Sequence, residues 1–228
     1  METVLITGGS RGIGLALVRQ FLIRGYRVVA TFRGEHAPEA LKTLKNEDQL
    51  VLKRLEVTDE ASINKLAASL KSLPIDILIN NAGILGPVAQ TLKDTDKRGW
   101  LETLEINTVA PLLVCEALLS NVRLSEHGRI ITISSQMGAL SRHSTGMYAY
   151  RSSKAAVNKV MQVLALELKD ENIAVCPVHP GWVKTEMGGE EADITPEESA
   201  EGIANFAVKM NMSHSGKFYT WDGFIHEW

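Results

Sequence analysis

Thr3-Val4-Leu5-Ile6 runs directly into Thr7-Gly8-Gly9-Ser10-Arg11-Gly12-Ile13-Gly14. Beyond these glycines, Leu15-Ala16-Leu17-Val18 and Phe21-Leu22 recur at helical spacing as far as Gly25. The glycines therefore stand between a short buried strand and a helix. At such a junction glycine lets the backbone come close to a phosphate, and the helix N-terminus offers unpaired amides and a partial positive charge. A glycine-rich match alone fits a tight turn with no ligand. The strand–turn–helix setting is what the dinucleotide-binding fingerprint requires.

Outward from that turn the chain alternates strand and helix. Strand-like runs are expected at residues 26–31, 50–57, 75–80, 129–134, 173–178 and 217–221, with helices at 38–45, 60–72, 98–120, 148–169 and 196–210. Ile75-Asp76-Ile77-Leu78-Ile79 is nearly all apolar, as suits a parallel strand buried on both faces. The expected fold is a Rossmann-like, doubly wound parallel sheet of about seven strands flanked by helices. Pro111, inside the helix at 98–120, predicts a kink or break there. No repeat, low-complexity tract or linker divides the 228 residues, so one domain over 1–228 is expected.

A net charge of -3 with mixed charges argues for neither nucleic acid nor an anionic membrane surface. No uninterrupted apolar run reaches the ~18 residues of a membrane span. The first strand begins within three residues of Met1, which leaves no room for a signal peptide and points to a cytoplasmic protein. Cys115 and Cys176 lie far apart, as reduced core thiols would, and the six histidines show no metal spacing.

Tyr150 and Lys154 stand one helical turn apart on one face in Tyr148-Ala149-Tyr150-Arg151-Ser152-Ser153-Lys154. A phenol keeps its proton to about pH 10, and a neighbouring ammonium favours the phenolate. The pair suits proton exchange with an alcohol or carbonyl oxygen, although alone it also fits a half-buried ring and a solvated amine. The second strand ends Val28-Val29-Ala30-Thr31-Phe32-Arg33, without the acid that would bind the ribose hydroxyls of NAD. Arg33, with Arg11 in the glycine turn, suits the extra phosphate of NADP(H).

Taken together these residues resemble the short-chain dehydrogenase/reductases over nearly the whole chain. The family's Thr-Gly-x-x-x-Gly-x-Gly is Thr7 to Gly14, and its Asn-Asn-Ala-Gly is Asn80-Asn81-Ala82-Gly83. Asn107 in Ile106-Asn107-Thr108, Ser135 at the end of a strand, Tyr150 with Lys154, and Pro180-Gly181 with Val183 and Thr185 follow in the family's order. Met147 to Arg151 and His179 to Thr185 look like the sniffer-type carbonyl reductase and C-factor branch. The resemblance implies Tyr150 as general acid in hydride reduction of a carbonyl. It implies Lys154 lowering the tyrosine's pKa and holding the nicotinamide ribose, Ser135 bonding the substrate oxygen, and Asn107 placing a relay water. Gly8, Ser10, Arg11, Gly12, Ile13 and Gly14 would cradle the pyrophosphate and adenosine side, and Asn81, Ala82 and Gly83 would line the ribose. Pro180, Gly181, Val183 and Thr185 would orient the carboxamide. Glu56-Val57 stands where many relatives carry Asp-Val beside the adenine. Tyr148 rivals Tyr150 but has Ser152 one turn on instead of a lysine, and Ser134 rivals Ser135 but is expected to bond backbone.

The short segment between Thr185 and Pro196 implies an open site for small or planar carbonyl compounds, with Trp182 and Met187 as an apolar wall or as core. Glu186, Glu190, Glu191, Asp193, Glu197, Glu198 and Glu201 make this region acidic, which argues against an anionic partner such as an acyl-carrier protein. An NADP(H)-binding regulator of C-factor type is the reading from another class, and a sugar epimerase would need a further substrate domain. The resemblance also implies a homodimer or homotetramer paired through the helices at 98–120 and 148–169, where Ala155, Ala156, Val163 and Leu166 supply surface.

Overall fold

The computed structural model describes residues 1–44 and 49–228. In chain order the elements are β1 (Thr3–Ile6), α1 (Gly12–Ile23), β2 (Arg27–Phe32), a single turn α2 (Glu39–Lys42), β3 (Leu50–Arg54), α3 (Glu60–Ser69) and β4 (Ile77–Asn80). A small hairpin of β5 (Gln90–Thr91) and β6 (Asp94–Thr95) precedes α4 (Lys97–Leu104), a π-helical turn (Glu105–Val109) and α5 (Ala110–Val122). Then come β7 (Arg129–Ile133), α6 (Tyr148–Glu167), β8 (Ala174–His179), α7 (Pro196–Lys209) and β9 (Tyr219–Thr220).

Seven strands form one sheet in the order β3-β2-β1-β4-β7-β8-β9, each pair parallel. The chain winds outward from β1 in one direction and then from β4 in the other. That reversal opens a crevice at the carboxyl ends of β1 and β4, where ligands of such sheets bind. Both faces are covered. Val4, Ile6, Ile77 and Ile79 pack with α1 and α7 on one side. Leu5, Leu78 and Ile130 pack with α3, α5 and α6 on the other. The strands are continuous apolar runs because neither face meets water.

Several elements are shorter than the sequence implies, for reasons visible in their partners. The run at 50–57 is strand only to Arg54, because its one neighbour β2 ends at Phe32, whose carbonyl accepts from Leu55 N at 2.9 Å. At 217–221 only Tyr219–Thr220 pair, since β9 meets just Val178 and His179 of β8. The helix at 60–72 ends at Ser69, and Ser72 has a φ of 66°. The helix at 38–45 is one turn, with Lys45 outside the described residues.

Pro111 does not break its helix. The path 97–122 is continuous, and the irregularity lies one turn earlier, where Glu105–Val109 widen into a π turn. A proline removes the donor for the carbonyl four residues back, here that of Asn107, and its ring crowds the same oxygen. Widening that turn relieves the clash and leaves Pro111 in the first turn of α5, where proline is tolerated. The 26-residue path is long and apolar enough to cross a membrane by length and composition, but half of its most apolar stretch is buried. Val114, Cys115, Leu118 and Val122 lie in the core against the sheet.

Candidate active site

Thr7 follows β1 and ties the glycine turn to the end of β4: its Oγ1 accepts from Asn81 N at 2.9 Å and Ala82 N at 3.1 Å. Asn81 Nδ2 donates back to the carbonyls of Thr7 and Gly8 at 3.0 and 3.1 Å. Gly8, at φ 66°, lies so close that a Cβ there would stand 3.0 Å from Ala82 Cα. A Cβ on Gly14 would stand 2.2 Å from the Gly8 carbonyl oxygen, so only glycine lets α1 start here. Gly12, at φ 52°, faces Thr185 across the crevice, and a Cβ there would stand 3.3 Å from Thr185 Cγ2.

α1 begins without a side-chain cap and without an acid in its first turn. Asp59, Asp96 and Thr195 cap α3, α4 and α7, whereas no side chain caps the start of α1. An uncapped helix start behind a glycine turn pressed against Ala82 fits the pyrophosphate of a dinucleotide. Arg11 forms an exposed ion pair with Glu186. Arg33 is exposed just beyond β2. Glu56 Oε1 accepts from Thr58 Oγ1 at 3.1 Å, and Val57 lines a small recess with Thr7, Asn80 and Ala82.

The second half of the crevice is built by β7 and α6. Ser135 follows β7, its Oγ accepting from Met137 N at 3.1 Å, and its side chain is close enough to Tyr150 to pull the phenol's pKa down. Gly138 lets the following turn lie on α6, since a Cβ would fall 2.5 Å from the Lys154 carbonyl carbon. Tyr150 is 8% exposed and Lys154 6%. The Lys154 Nζ donates to the Ile133 carbonyl at 2.9 Å and lies 5.7 Å from the centroid of the Tyr150 ring.

Asn107 sits in the π turn. Its Oδ1 accepts from Ile84 N at 2.9 Å, and its Nδ2 donates to Ile84 O at 2.8 Å and Ser153 Oγ at 3.0 Å. A Cβ on Gly83 would meet Asn107 Oδ1 at 3.1 Å and Lys154 Nζ at 3.6 Å. Gly83, Asn107, Ser135, Tyr150 and Lys154 are thus brought to one place.

Burial raises the Tyr150 phenol above its ordinary 10, opposed by Ser135, and burial pulls Lys154 down to about 8. The Lys154 ammonium is engaged by a backbone carbonyl and lies over the ring. Tyr150 is therefore held in its protonated form at neutral pH, the form a general acid needs.

After β8, Gly181 takes a φ of 87° against Ile194 and Trp221, and the Pro180 carbonyl accepts from Ser199 Oγ at 2.5 Å. Val183 pairs with Ile194, Thr185 Oγ1 donates to Val183 O at 3.3 Å, and Trp182 Nε1 donates to Gly188 O at 2.8 Å. These bonds fold the acidic segment into a compact loop. Trp182 and Met187 are both half-exposed, which sets aside the core alternative for them. Tyr148 is half-exposed with its ring 6.2 Å from Trp100. Ser134 bonds mainly a side chain, its Oγ donating to Asn158 Oδ1 at 2.5 Å and more distantly to Lys154 O.

Two features were not legible in the sequence. One is a cavity of about 330 Å³ whose wall includes Gln136, His179, Trp182, Trp221, Phe224 and His226. Gln136 adjoins Ser135 and Trp182 adjoins Gly181, so the cavity opens beside the site. Burial, with His226 nearby, drives the His179 pKa down to about 4, so the ring is neutral. The other is Gln90, buried and bonded through Oε1 to Tyr150 N. It lies in a loop broken by Gly86 and Pro87, where no local pattern marks a distant partner.

The short chain dehydrogenase family model matches residues 2–195. C-signal of Myxococcus xanthus is 36% identical over 156 residues, 68% of this chain and 93% of that protein. The carbonyl reductase Sniffer of D. melanogaster superposes with a TM-score of 0.94 at 30% identity, covering 100% of both chains. An NADPH-bound carbonyl reductase from chicken fatty liver superposes with a TM-score of 0.91 at 34% identity, covering 100% of this chain and 99% of that one.

Proposed function

The chain belongs to the short-chain dehydrogenase family, and from that premise we propose that it is an NADPH-dependent reductase of small carbonyl compounds. The observation that carries this reading is that Tyr150 and Lys154 are buried together, the Lys154 Nζ 5.7 Å from the centroid of the Tyr150 ring, beside Ser135, Asn107 and Gly83 at the crevice where the sheet reverses. NADPH, when bound, supplies the hydride. The amides of Gly12, Ile13 and Gly14, with Gly8 and Ser10, would hold the pyrophosphate. Arg11 and Arg33 would hold the phosphate on the adenosine ribose, with Glu56 and Val57 by the adenine. Asn81, Ala82 and Gly83 would line the ribose, and Pro180, Gly181, Val183 and Thr185 the carboxamide. The NADPH-bound chicken relative supports this cofactor.

Tyr150 gives its phenolic proton to the carbonyl oxygen, and Ser135 donates a hydrogen bond to the same atom as negative charge gathers on it. Lys154 stabilises the phenolate left behind. Asn107 fixes Ile84 on one side and Ser153, on α6, on the other, which keeps the floor of the site rigid. The remainder of the substrate would enter the cavity beside Trp182, Trp221 and Phe224. Its wall carries Asp193 and Asp222 and, among the described residues, no lysine or arginine, which favours uncharged or cationic aromatic carbonyls over anionic ones. Pairing through the exposed Leu112 of α5 and Val163 and Leu166 of α6 is part of the same reading, as is a cytoplasmic setting.

The test is to titrate NADPH and NADH into the protein, then follow nucleotide absorbance with quinones, diketones and aromatic aldehydes. NADPH should bind more tightly and be consumed. Tyr150→Phe should lower kcat about 10²–10⁴-fold with the NADPH Kd unchanged. Full activity in that variant overturns the mechanism. Tight NADPH binding with no turnover anywhere in the panel would favour the regulatory reading instead.

A further inference from the structure

Gln90 is 4% exposed and uses its carboxamide at both ends. Nε2 donates to the carbonyls of Leu85 at 3.0 Å and Pro87 at 2.8 Å, and Oε1 accepts from Tyr150 N at 3.0 Å. Two carbonyls at one end and an N–H at the other fix which atom is oxygen and which nitrogen.

α6 requires this bond. Its N-cap, Met147, has a φ of 57° and no capping side chain, and the first turn carries no acid. Tyr150 is the third helical residue, so its amide has no acceptor within the helix. A cap normally comes from the N-cap residue itself. Here it comes from 60 residues earlier in the chain.

The donor end of Gln90 gathers a loop that already touches the site. Ile84 is bonded through both backbone groups to Asn107, and Leu85 and Pro87 are bonded to Gln90. Gly86 turns the chain at φ 88° with no room for a Cβ, which would stand 2.5 Å from Thr103 Oγ1. Leu85 and Val88 are left exposed on the outside. One buried amide thus joins the loop at 84–90 to the backbone of Tyr150.

We propose that Gln90 is a positioning residue: it sets the start of α6, and with it the place of the Tyr150 phenol, and couples both to the loop at 84–90. This rests on the reading of Tyr150 as the acid. The test compares the full-length protein with Gln90→Met, which loses all three bonds, and Gln90→Glu, which keeps an acceptor for Tyr150 N but loses the donors to the loop. Gln90→Met should lower kcat about 10- to 100-fold, the range that a misplacement of about 1 Å produces, with the NADPH Kd within about twofold. Gln90→Glu should keep kcat within a few-fold and raise KM, because the loop is released while the helix start is held.

Phenolate absorbance, corrected with Tyr150→Phe, gives a readout independent of turnover. Water admitted at the loosened helix start should bring the Tyr150 titration in Gln90→Met back toward 10. If both variants keep the wild-type kcat per folded molecule and an unmoved Tyr150 titration, even with a lowered Tm, Gln90 is structural only and the proposal falls. If the wild type reduces no carbonyl, the functional reading fails, while the titration still decides whether Gln90 positions the phenol.

Discussion

Replacing Lys154 with methionine should make the protein more stable and catalytically dead. The lysine's pKa falls from its ordinary 10.5 to about 8 because it is buried. At about 1.4 kcal/mol per pH unit, holding it charged costs the fold about 3 kcal/mol near neutrality. Between pH 8 and 10.5 the unfolded chain holds a proton that the folded chain has released, so stability rises with pH across that window. Below pH 8 both states are protonated and the whole cost is present. Methionine keeps the volume and removes the charge, but leaves the Ile133 carbonyl without its donor at 2.9 Å, a loss of about 1–2 kcal/mol. The net gain at pH 7 is about 1–2 kcal/mol, or about 2–8 °C in Tm for a chain of this length. The assay is urea unfolding of both proteins from pH 7 to pH 10.5, with carbonyl reduction measured in parallel. A gap that closes and then reverses as pH rises, with activity lost, is the expected result. A variant less stable at pH 7, or a gap that does not change with pH, would refute the burial argument.

Gly14→Ala should cost about 3–5 kcal/mol by thermal unfolding, because its Cβ would fall 2.2 Å from the Gly8 carbonyl and 2.5 Å from Asn81 Nδ2, straining the turn and breaking two hydrogen bonds; a loss below about 0.5 kcal/mol would contradict that packing. Arg33→Ala should raise the NADPH Kd about 10- to 100-fold and leave the NADH Kd alone, as for one charged hydrogen-bonding group, and an equal effect on both nucleotides would remove Arg33 from the phosphate site. His179, held neutral with a pKa of about 4 against an ordinary 6.5, binds fewer protons folded than unfolded. Stability should therefore fall by up to about 3 kcal/mol as pH drops from 6.5 to 4, and His179→Gln should flatten that loss in urea titrations; an acid limb unchanged in the variant would assign it to other groups.

The parts of this molecule that could be read in the sequence are those whose partners are close in the chain or whose residue type is forced by backbone geometry. Gly8, Gly12 and Gly14 announce a strand-to-helix junction, and the uncapped start of α1 follows from the same residues. Tyr150 and Lys154 share a helix face. Element ends are less legible, because a strand stops where its neighbour stops: β3 ends with β2, and β9 is as short as its overlap with β8. The consequence of Pro111 lies one turn away from the proline itself for a related reason. Proline acts on the carbonyl four residues back, so the distortion appears at Asn107.

What the sequence hides is the reach of buried polar groups across long separations. Gln90 answers an amide in α6, and Asn107 answers Ile84. Each polar group is costly to bury unless its partner is in place, so these distant pairs are strict conditions on the fold even though no local pattern marks them. Lys154 is costly in the charged state even so, and the stability forgone there is what keeps an ammonium against the buried Tyr150 ring. Variants selected for stability alone should therefore accumulate changes at Lys154 first and, on the proposed mechanism, lose reduction as they do.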